Sequence, residues 1–94
     1  MGDDAAYTYL LECADGTLYA GWTTDPQKRL QVHNQGNGAK YTRTRLPVKL
    51  AGLWRFDTRT EAMRFEIKLK SLSRAQKLKL LTNGEEPDPH RIGL

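Results

Sequence analysis

Cysteine is all but absent from this chain: Cys13 stands alone. A single thiol closes no internal disulfide, which excludes a disulfide-built secreted scaffold and suits a reducing compartment. With one cysteine and two imidazoles, His33 and His90, there is no CxxC pair and no HExxH helix, so the usual zinc ligand sets are missing. Neither a phosphate-cradling P-loop nor a GxSxG nucleophile elbow occurs, which removes support for nucleotide-triphosphate binding and serine hydrolysis. A Cys13–His33 hydrolytic pair is conceivable but nothing in the spacing marks it. No apolar run approaches the roughly 18–20 residues that a bilayer span requires. The start, Met1-Gly2-Asp3-Asp4, is acidic and has no apolar segment of the kind a signal peptide needs. Cytoplasm is the expected location.

What remains is enough for one small domain. The 94 residues are 38% hydrophobic and 28% charged, ordinary proportions for a folded soluble chain with a modest core. Fifteen Lys and Arg against eleven Asp and Glu give a net charge of +4. That excess favours a polyanionic partner only weakly, but its distribution says more. Lys40, Arg43 and Arg45 fall close together with no acid between them, while acids gather at Asp3-Asp4 and Glu85-Glu86.

Periodicity predicts an α+β chain in the order β-β-α-β-α-α, with about three helices on a small three-stranded antiparallel sheet. Residues 7–13 are β-branched and aromatic, Asp15-Gly16 is a hairpin turn signal, and residues 17–22 form the returning strand. Asp25 is a good N-cap and Pro26 fits the first helical position, opening a helix that should stop near Gly36-Asn37-Gly38. The stretch from Gly38 to Pro47 reads as a basic loop. Val48, Leu50, Trp54 and Phe56 share one parity and predict a third strand, with Gly52 marking a bulge or a close backbone approach. Thr58-Arg59-Thr60-Glu61 and Ser73-Arg74-Ala75-Gln76 each have capping-box spacing. They open one helix to about Ser71 and a last one ending near Asn83-Gly84. Residues 85–94, with Pro87 and Pro89, read as a frayed or loosely docked tail.

Four groups of side chains are suited to chemistry. Arg29 and His33 lie four residues apart and so share a helix face. An arginine fork fits phosphate oxygens and an imidazole moves protons near neutral pH; a solvated face with an incidental histidine fits the same spacing. Glu66 falls inside the apolar arc that Ala62, Met63, Phe65, Ile67, Leu69 and Leu72 trace on a helical wheel. A carboxylate there needs a cation: a divalent metal completed by water and phosphate oxygens, or Lys70 one turn on. Tyr7, Tyr9 and Tyr19 lie on the hairpin, either as packed rings or as phenols facing one cleft. Lys40, Tyr41, Arg43 and Arg45 could hold a nucleic-acid backbone without reading its bases.

Taken together, these positions resemble the GIY-YIG nuclease family, in particular its short stand-alone bacterial members. Tyr7-Thr8-Tyr9 stands where the GIY tripeptide would be and Tyr19-Ala20-Gly21 where YIG would be, with about ten residues between the matching tyrosines. Asp25 to His33, Gly38 to Arg43 and Glu61 to Glu66 continue the register, so five separated motifs agree over about residues 7–81 of a single 1–94 domain. The chain departs from the namesake motif in lacking its first glycine and isoleucine, and Ala20 replaces the second isoleucine. These are packing positions.

The resemblance implies a metal-dependent DNA endonuclease using Mg²⁺ or Mn²⁺, of the kind employed in DNA repair or recombination, with no small-molecule cofactor. It implies that Tyr9 and Tyr19 position or deprotonate the attacking water. Arg29 would stabilise the charged transition state, His33 would aid proton transfer, and Glu66 would hold the metal. Gly21 would permit close packing at the end of its strand. Some members use a late asparagine, for which Asn83 is the only candidate, and no role is assigned to it. The alternatives are a nucleic-acid-binding module that keeps the fold without cleavage, and a domain whose basic surface meets an acidic protein. Duplex, branched or single-stranded DNA, and RNA, all remain open as partners.

Overall fold

A computed structural model describes residues 5–82 and 89–93. Strand β1 (Ala6–Glu12) pairs antiparallel with β2 (Leu18–Thr23) on one side and with β3 (Lys49–Phe56) on the other, giving the sheet order β2-β1-β3. The helices are α1 (Pro26–Asn34), α2 (Lys40–Arg43), α3 (Arg59–Ser71) and α4 (Arg74–Thr82). The expected α+β order therefore holds, with one addition. The stretch read as a basic loop contains the single helical turn α2, too short to carry a periodic signal.

β1 takes the central place because both of its faces are apolar. Ala6, Thr8 and Leu10 face a core shared with Trp54, Phe56, Ala62 and Leu69, while Tyr9 and Leu11 face a second core with Cys13, Val48 and Leu53. Thr8 is the buried polar residue of β1 on the α3 side. Its hydroxyl donates to the carbonyl of Ala62 at 2.6 Å, bolting the central strand to the first turns of α3. Losing that buried bond would cost about 1–3 kcal/mol.

The local signals act as their chemistry requires. Asp15 accepts from the amide and hydroxyl of Thr17, and Gly16 takes a positive φ of 83° in the turn. Asp25 accepts from the Lys28 amide at the start of α1, and Thr58 accepts from the Glu61 amide at the start of α3. Ser73 and Gln76 exchange the two bonds of a full capping box at α4.

Two expectations need correction, and the described part of the tail follows one of its two alternatives. The parity drawn through Val48, Leu50, Trp54 and Phe56 is broken by a bulge. Leu10 pairs with Gly52 but Leu11 pairs with Leu50, so Ala51 is the extra residue and the side chains before it change face. Leu50 and Val48 thus join the core of Tyr9, and Trp54 and Phe56 the opposite one. Gly52 also meets the close approach expected of it, since a Cβ there would press on Leu81 and Trp54.

The apolar arc of α3 is narrower than the helical wheel implies. Ala62 and Leu69 are buried, but Met63 is 43% and Ile67 67% exposed, so Glu66 stands at the edge of the arc rather than inside it. Finally, the described part of the tail is docked. Ile92 donates its amide to Leu53 and Arg55 donates to His90, continuing the pairing beyond β3. Arg91 donates to the carbonyls of Leu80 and Leu81 at 3.0 and 2.7 Å, capping the last turn of α4. Asn83, Gly84 and residues 85–88 lie outside the described residues.

Candidate active site

The site forms where the face of β1 carrying Tyr9 meets α1 and α2. Tyr9 pairs directly across from Gly21 on β2, and the missing side chain there lets the phenol ring lie over the neighbouring strand. A Cβ on Gly21 would collide with the Tyr9 hydroxyl and ring. The glycine of the second motif thus makes room for the tyrosine of the first.

Laid across Gly21, the phenol reaches α1. The Tyr9 Oη lies 3.0 Å from Nε2 of His33 and accepts from Nε of Arg29 at 3.4 Å. Helical spacing brings Arg29 and His33 to the same oxygen, so their shared face is turned inward to the sheet. His33 has no exposed surface at all, and its ring packs edge-on against both Tyr9 and Tyr19 at centroid distances of 5.8 and 5.7 Å. The reading of this face as solvated fails for His33.

On its other side the imidazole meets α2. His33 Nδ1 lies 2.8 Å from the Thr42 hydroxyl, which donates to the Ala39 carbonyl at 2.9 Å. Gly38 packs so closely on the imidazole that an added Cβ would strike it. Asn34, next along α1, exchanges two bonds with the backbone of Val48 at 3.0 and 2.8 Å and so pins the end of α1 to the start of β3. Asn34 does not stand out in the sequence, and Thr42 does so only as part of the Gly38 to Arg43 motif, with no role assigned to it. Their roles depend on chain segments that meet only in the fold, and the single available hint is that both side chains can accept and donate at once.

Burial sets the electrostatics. It pushes the Tyr9 phenol above its ordinary value, the Arg29 guanidinium pulls the other way, and Tyr19 and Glu66 add to the rise. Burial also lowers the His33 imidazole below its ordinary value, and Arg29 lowers it further. A neutral phenol therefore faces a neutral imidazole.

Glu66 approaches from α3. Its side chain is 19% exposed, and one carboxylate oxygen lies 3.4 Å from the ammonium of Lys70, which also sits 5.8 Å from the Tyr19 ring. Of the two cations considered for this carboxylate, Lys70 is the resident partner. Among the described residues no group of three or more His, Cys, Asp or Glu stands together. The donor set is one hard carboxylate, which would fit a hard divalent cation completed by water and phosphate oxygens better than it would fit zinc.

The basic stretch divides into two parts. Lys40 and Arg43 are exposed on α2. Arg45 bridges Asp15 at 3.0 Å, donates to the Tyr41 carbonyl at 2.8 Å and lies 3.9 Å over the Tyr41 ring. Tyr41 in turn stacks on Tyr19, with centroids 5.7 Å apart. Arg45 is therefore a strut between α2 and the hairpin turn, and Tyr41 forms one wall of the site beside Tyr19. No helix among the described residues is long and apolar enough to cross a membrane.

Comparison with known proteins shows the family of the chain. The chain is 58% identical over 78 residues to a UPF0213 protein of Lactococcus lactis subsp. cremoris, covering 82% of this chain and 80% of the other. It is 56% identical over 71 residues to a UPF0213 protein of Halobacterium salinarum, covering 76% and 92%. The solution NMR structure of a UPF0213 protein from Bacillus halodurans superposes with a TM-score of 0.54 at 47% identity, over 86% of this chain and 88% of that one. A protein from E. faecalis superposes with a TM-score of 0.59 at 42% identity, over 92% and 93%. The sequence model of the GIY-YIG catalytic domain matches residues 5–79, a span that holds every residue of the site just described, and the chain belongs to the GIY-YIG family.

Proposed function

We propose that this protein is a divalent-metal-dependent endonuclease that hydrolyses phosphodiester bonds in DNA. The observation that carries the proposal is the meeting of Tyr9, Arg29 and His33 at one phenol oxygen, with Tyr19 and the half-buried Glu66 beside them. A binding module has no use for such a cluster, because phosphate recognition needs exposed cations rather than a buried phenol–imidazole pair.

In this reading Lys40 and Arg43 hold the nucleic-acid backbone, and Tyr41 and Tyr19 wall the cleft. Glu66 holds Mg²⁺ or Mn²⁺, which supplies Lewis-acid polarisation of the scissile phosphate when bound. Arg29 turns its guanidinium to the charge that builds on the phosphate oxygens. Tyr9 takes a proton from the attacking water as it passes its own to His33. Burial makes the phenol a poor acid by itself, so the adjacent imidazole is what gives the proton somewhere to go. The lone buried thiol, Cys13, suits a reducing cytoplasm.

One observation favours the rival reading, a non-catalytic nucleic-acid-binding module: the resident Lys70–Glu66 ion pair. A cleavage panel separates the two. Duplex, branched and single-stranded DNA, and RNA, are incubated with the protein in Mg²⁺ or Mn²⁺ and in EDTA, beside Arg29→Ala and Glu66→Ala. The expected result is metal-dependent cutting of DNA that falls by roughly two to three orders of magnitude in each variant. Cutting by either variant at the parent rate would remove the assignment. DNA binding that survives EDTA without any cutting in metal would establish the module.

A further inference from the structure

We infer that Thr42 is a positioning residue that fixes the tautomer of His33, and so makes Nε2 the acceptor for the Tyr9 proton. The inference rests on the nuclease reading for its consequence, but on hydrogen-bond direction alone for its content.

The direction follows from the two ends of one chain of bonds. At one end stands the Ala39 carbonyl, which can only accept. Thr42 has a single hydroxyl proton and spends it there, over 2.9 Å. With its proton there, the Thr42 oxygen, 2.8 Å from His33 Nδ1, accepts, and Nδ1 carries the imidazole proton. In a neutral imidazole Nε2 is then a bare acceptor. At the other end Arg29 donates from Nε to the Tyr9 oxygen, leaving the phenol its own proton to give across 3.0 Å to Nε2. Both ends fit the same direction: Arg29 to Tyr9 to His33, and His33 to Thr42 to Ala39.

The opposite tautomer breaks this order twice. A bare Nδ1 would draw the Thr42 proton away from Ala39, leaving that carbonyl only the backbone amides of Thr42 and Arg43. A protonated Nε2 would point at a phenol oxygen already receiving from Arg29, and the phenol proton would lose its acceptor. Thr42 has no exposed surface, so water offers its hydroxyl no alternative partner. Gly38 closes the remaining space on the imidazole, and any Cβ there would push the ring off this line.

The proton balance is simple. As water's oxygen bonds to phosphorus, the bond from phosphorus to the leaving sugar oxygen breaks and that alkoxide takes a proton from solvent. Meanwhile one O–H bond of water breaks and a new one forms at Tyr9 Oη. The former phenol proton moves to His33 Nε2, the imidazole becomes a cation, and Nδ1 keeps its proton on Thr42 throughout. Thr42 touches neither water nor phosphate.

The test reads the tautomer directly. Two-bond proton–nitrogen NMR is recorded at neutral pH on protein carrying His90→Gln, so that His33 is the sole imidazole. The expected spectrum has the proton on Nδ1 and a bare Nε2. Thr42→Val should move the proton to Nε2 or mix the two forms, and should lower metal-dependent cleavage by about ten- to a hundredfold, part of what a proton-transfer group contributes. Thr42→Ser should restore both the spectrum and the rate. If Thr42→Val does not fold, Thr42→Ala removes the hydroxyl without adding a methyl and carries the same expectation. A parent protein with its proton on Nε2 would overturn the inference. So would a hydroxyl-free variant that keeps the proton on Nδ1. Absence of any cleavage by the parent would instead overturn the nuclease reading, and the two failures are distinguishable because the spectra need no substrate.

Discussion

Tyr9 lies across Gly21, its partner in the neighbouring strand, and that crossing is what carries the phenol to His33 and Arg29. The relationship links two motifs that sequence reading treats as separate, each through a demand of the other. Gly21→Ala would place a methyl group where the phenol now sits. Overpacking of this kind costs about 1–3 kcal/mol, so the urea midpoint should fall. Cleavage should fall further than stability accounts for, because the ring must swing away from the imidazole. Equal urea midpoints for Gly21→Ala and the parent would show that the crossing is not tight.

Much of this fold was legible because its signals are local. The Asp15-Gly16 turn, the Asp25 cap with Pro26 and the Ser73/Gln76 box each involve residues within a few positions of one another. Arg29 and His33 were legible as a pair for the same reason. What the sequence hid depends on long-range partners. The bulge at Ala51 resets the parity of β3, and only its pairing with β1 reveals where. The tail docks because Arg91 reaches the carbonyls that end α4. Glu66 drew notice by its place on the wheel, yet which of its neighbours are buried is decided by the sheet below. Thr42 lay inside the Gly38 to Arg43 motif but drew no role of its own, since its partner His33 meets it only in the fold.

The buried imidazole should make stability depend on pH. His33 is held below its ordinary value of 6.5, chiefly by burial and then by Arg29. The unfolded chain therefore binds a proton at His33 that the folded chain refuses, so stability rises with pH across the interval between the lowered value and 6.5. This contribution is fully present above 6.5 and is lost as pH falls toward the lowered value, below which it levels off. Urea midpoints measured from pH 5 to 8 should show that slope, and His33→Asn should flatten it. An unchanged slope in the variant would assign it elsewhere.

Lys70 now occupies the carboxylate that a metal would use, so it should compete with the metal. The pair is partly exposed, and such pairs are worth about 0–1 kcal/mol. Removing the ammonium in Lys70→Ala should therefore tighten Mn²⁺ binding by about two- to fivefold, with little change in the unfolding midpoint. Calorimetric titration of the parent, Lys70→Ala and Glu66→Ala would decide this. Weaker binding in Lys70→Ala would mean that the lysine supports the site, and Mn²⁺ binding retained by Glu66→Ala would place the metal elsewhere.

The three cations around α2 should separate into two behaviours. Lys40 and Arg43 are exposed, so alanine at either should weaken DNA binding for every sequence and reduce the salt slope by about 0.9 for each phosphate no longer neutralised. Arg45 is bonded to Asp15 and to the Tyr41 carbonyl, and its guanidinium covers the Tyr41 ring. Arg45→Ala should leave the salt slope near that of the parent while loosening α2, read as faster amide exchange at Tyr41 and Thr42. The carboxylate side of the strut gives an independent check. Asp15 is kept below the usual carboxylate range first by its bonds to Thr17 and then by Arg45. Asp15→Asn should therefore loosen α2 in the same direction as Arg45→Ala, whereas a phosphate-binding Arg45 would bind DNA more tightly once freed from Asp15. Fluorescence anisotropy across a salt series, run on Lys40→Ala, Arg43→Ala, Arg45→Ala and Asp15→Asn, distinguishes the strut from a phosphate ligand. A salt slope for Arg45→Ala that drops as far as those of Lys40→Ala and Arg43→Ala would return Arg45 to the nucleic-acid interface.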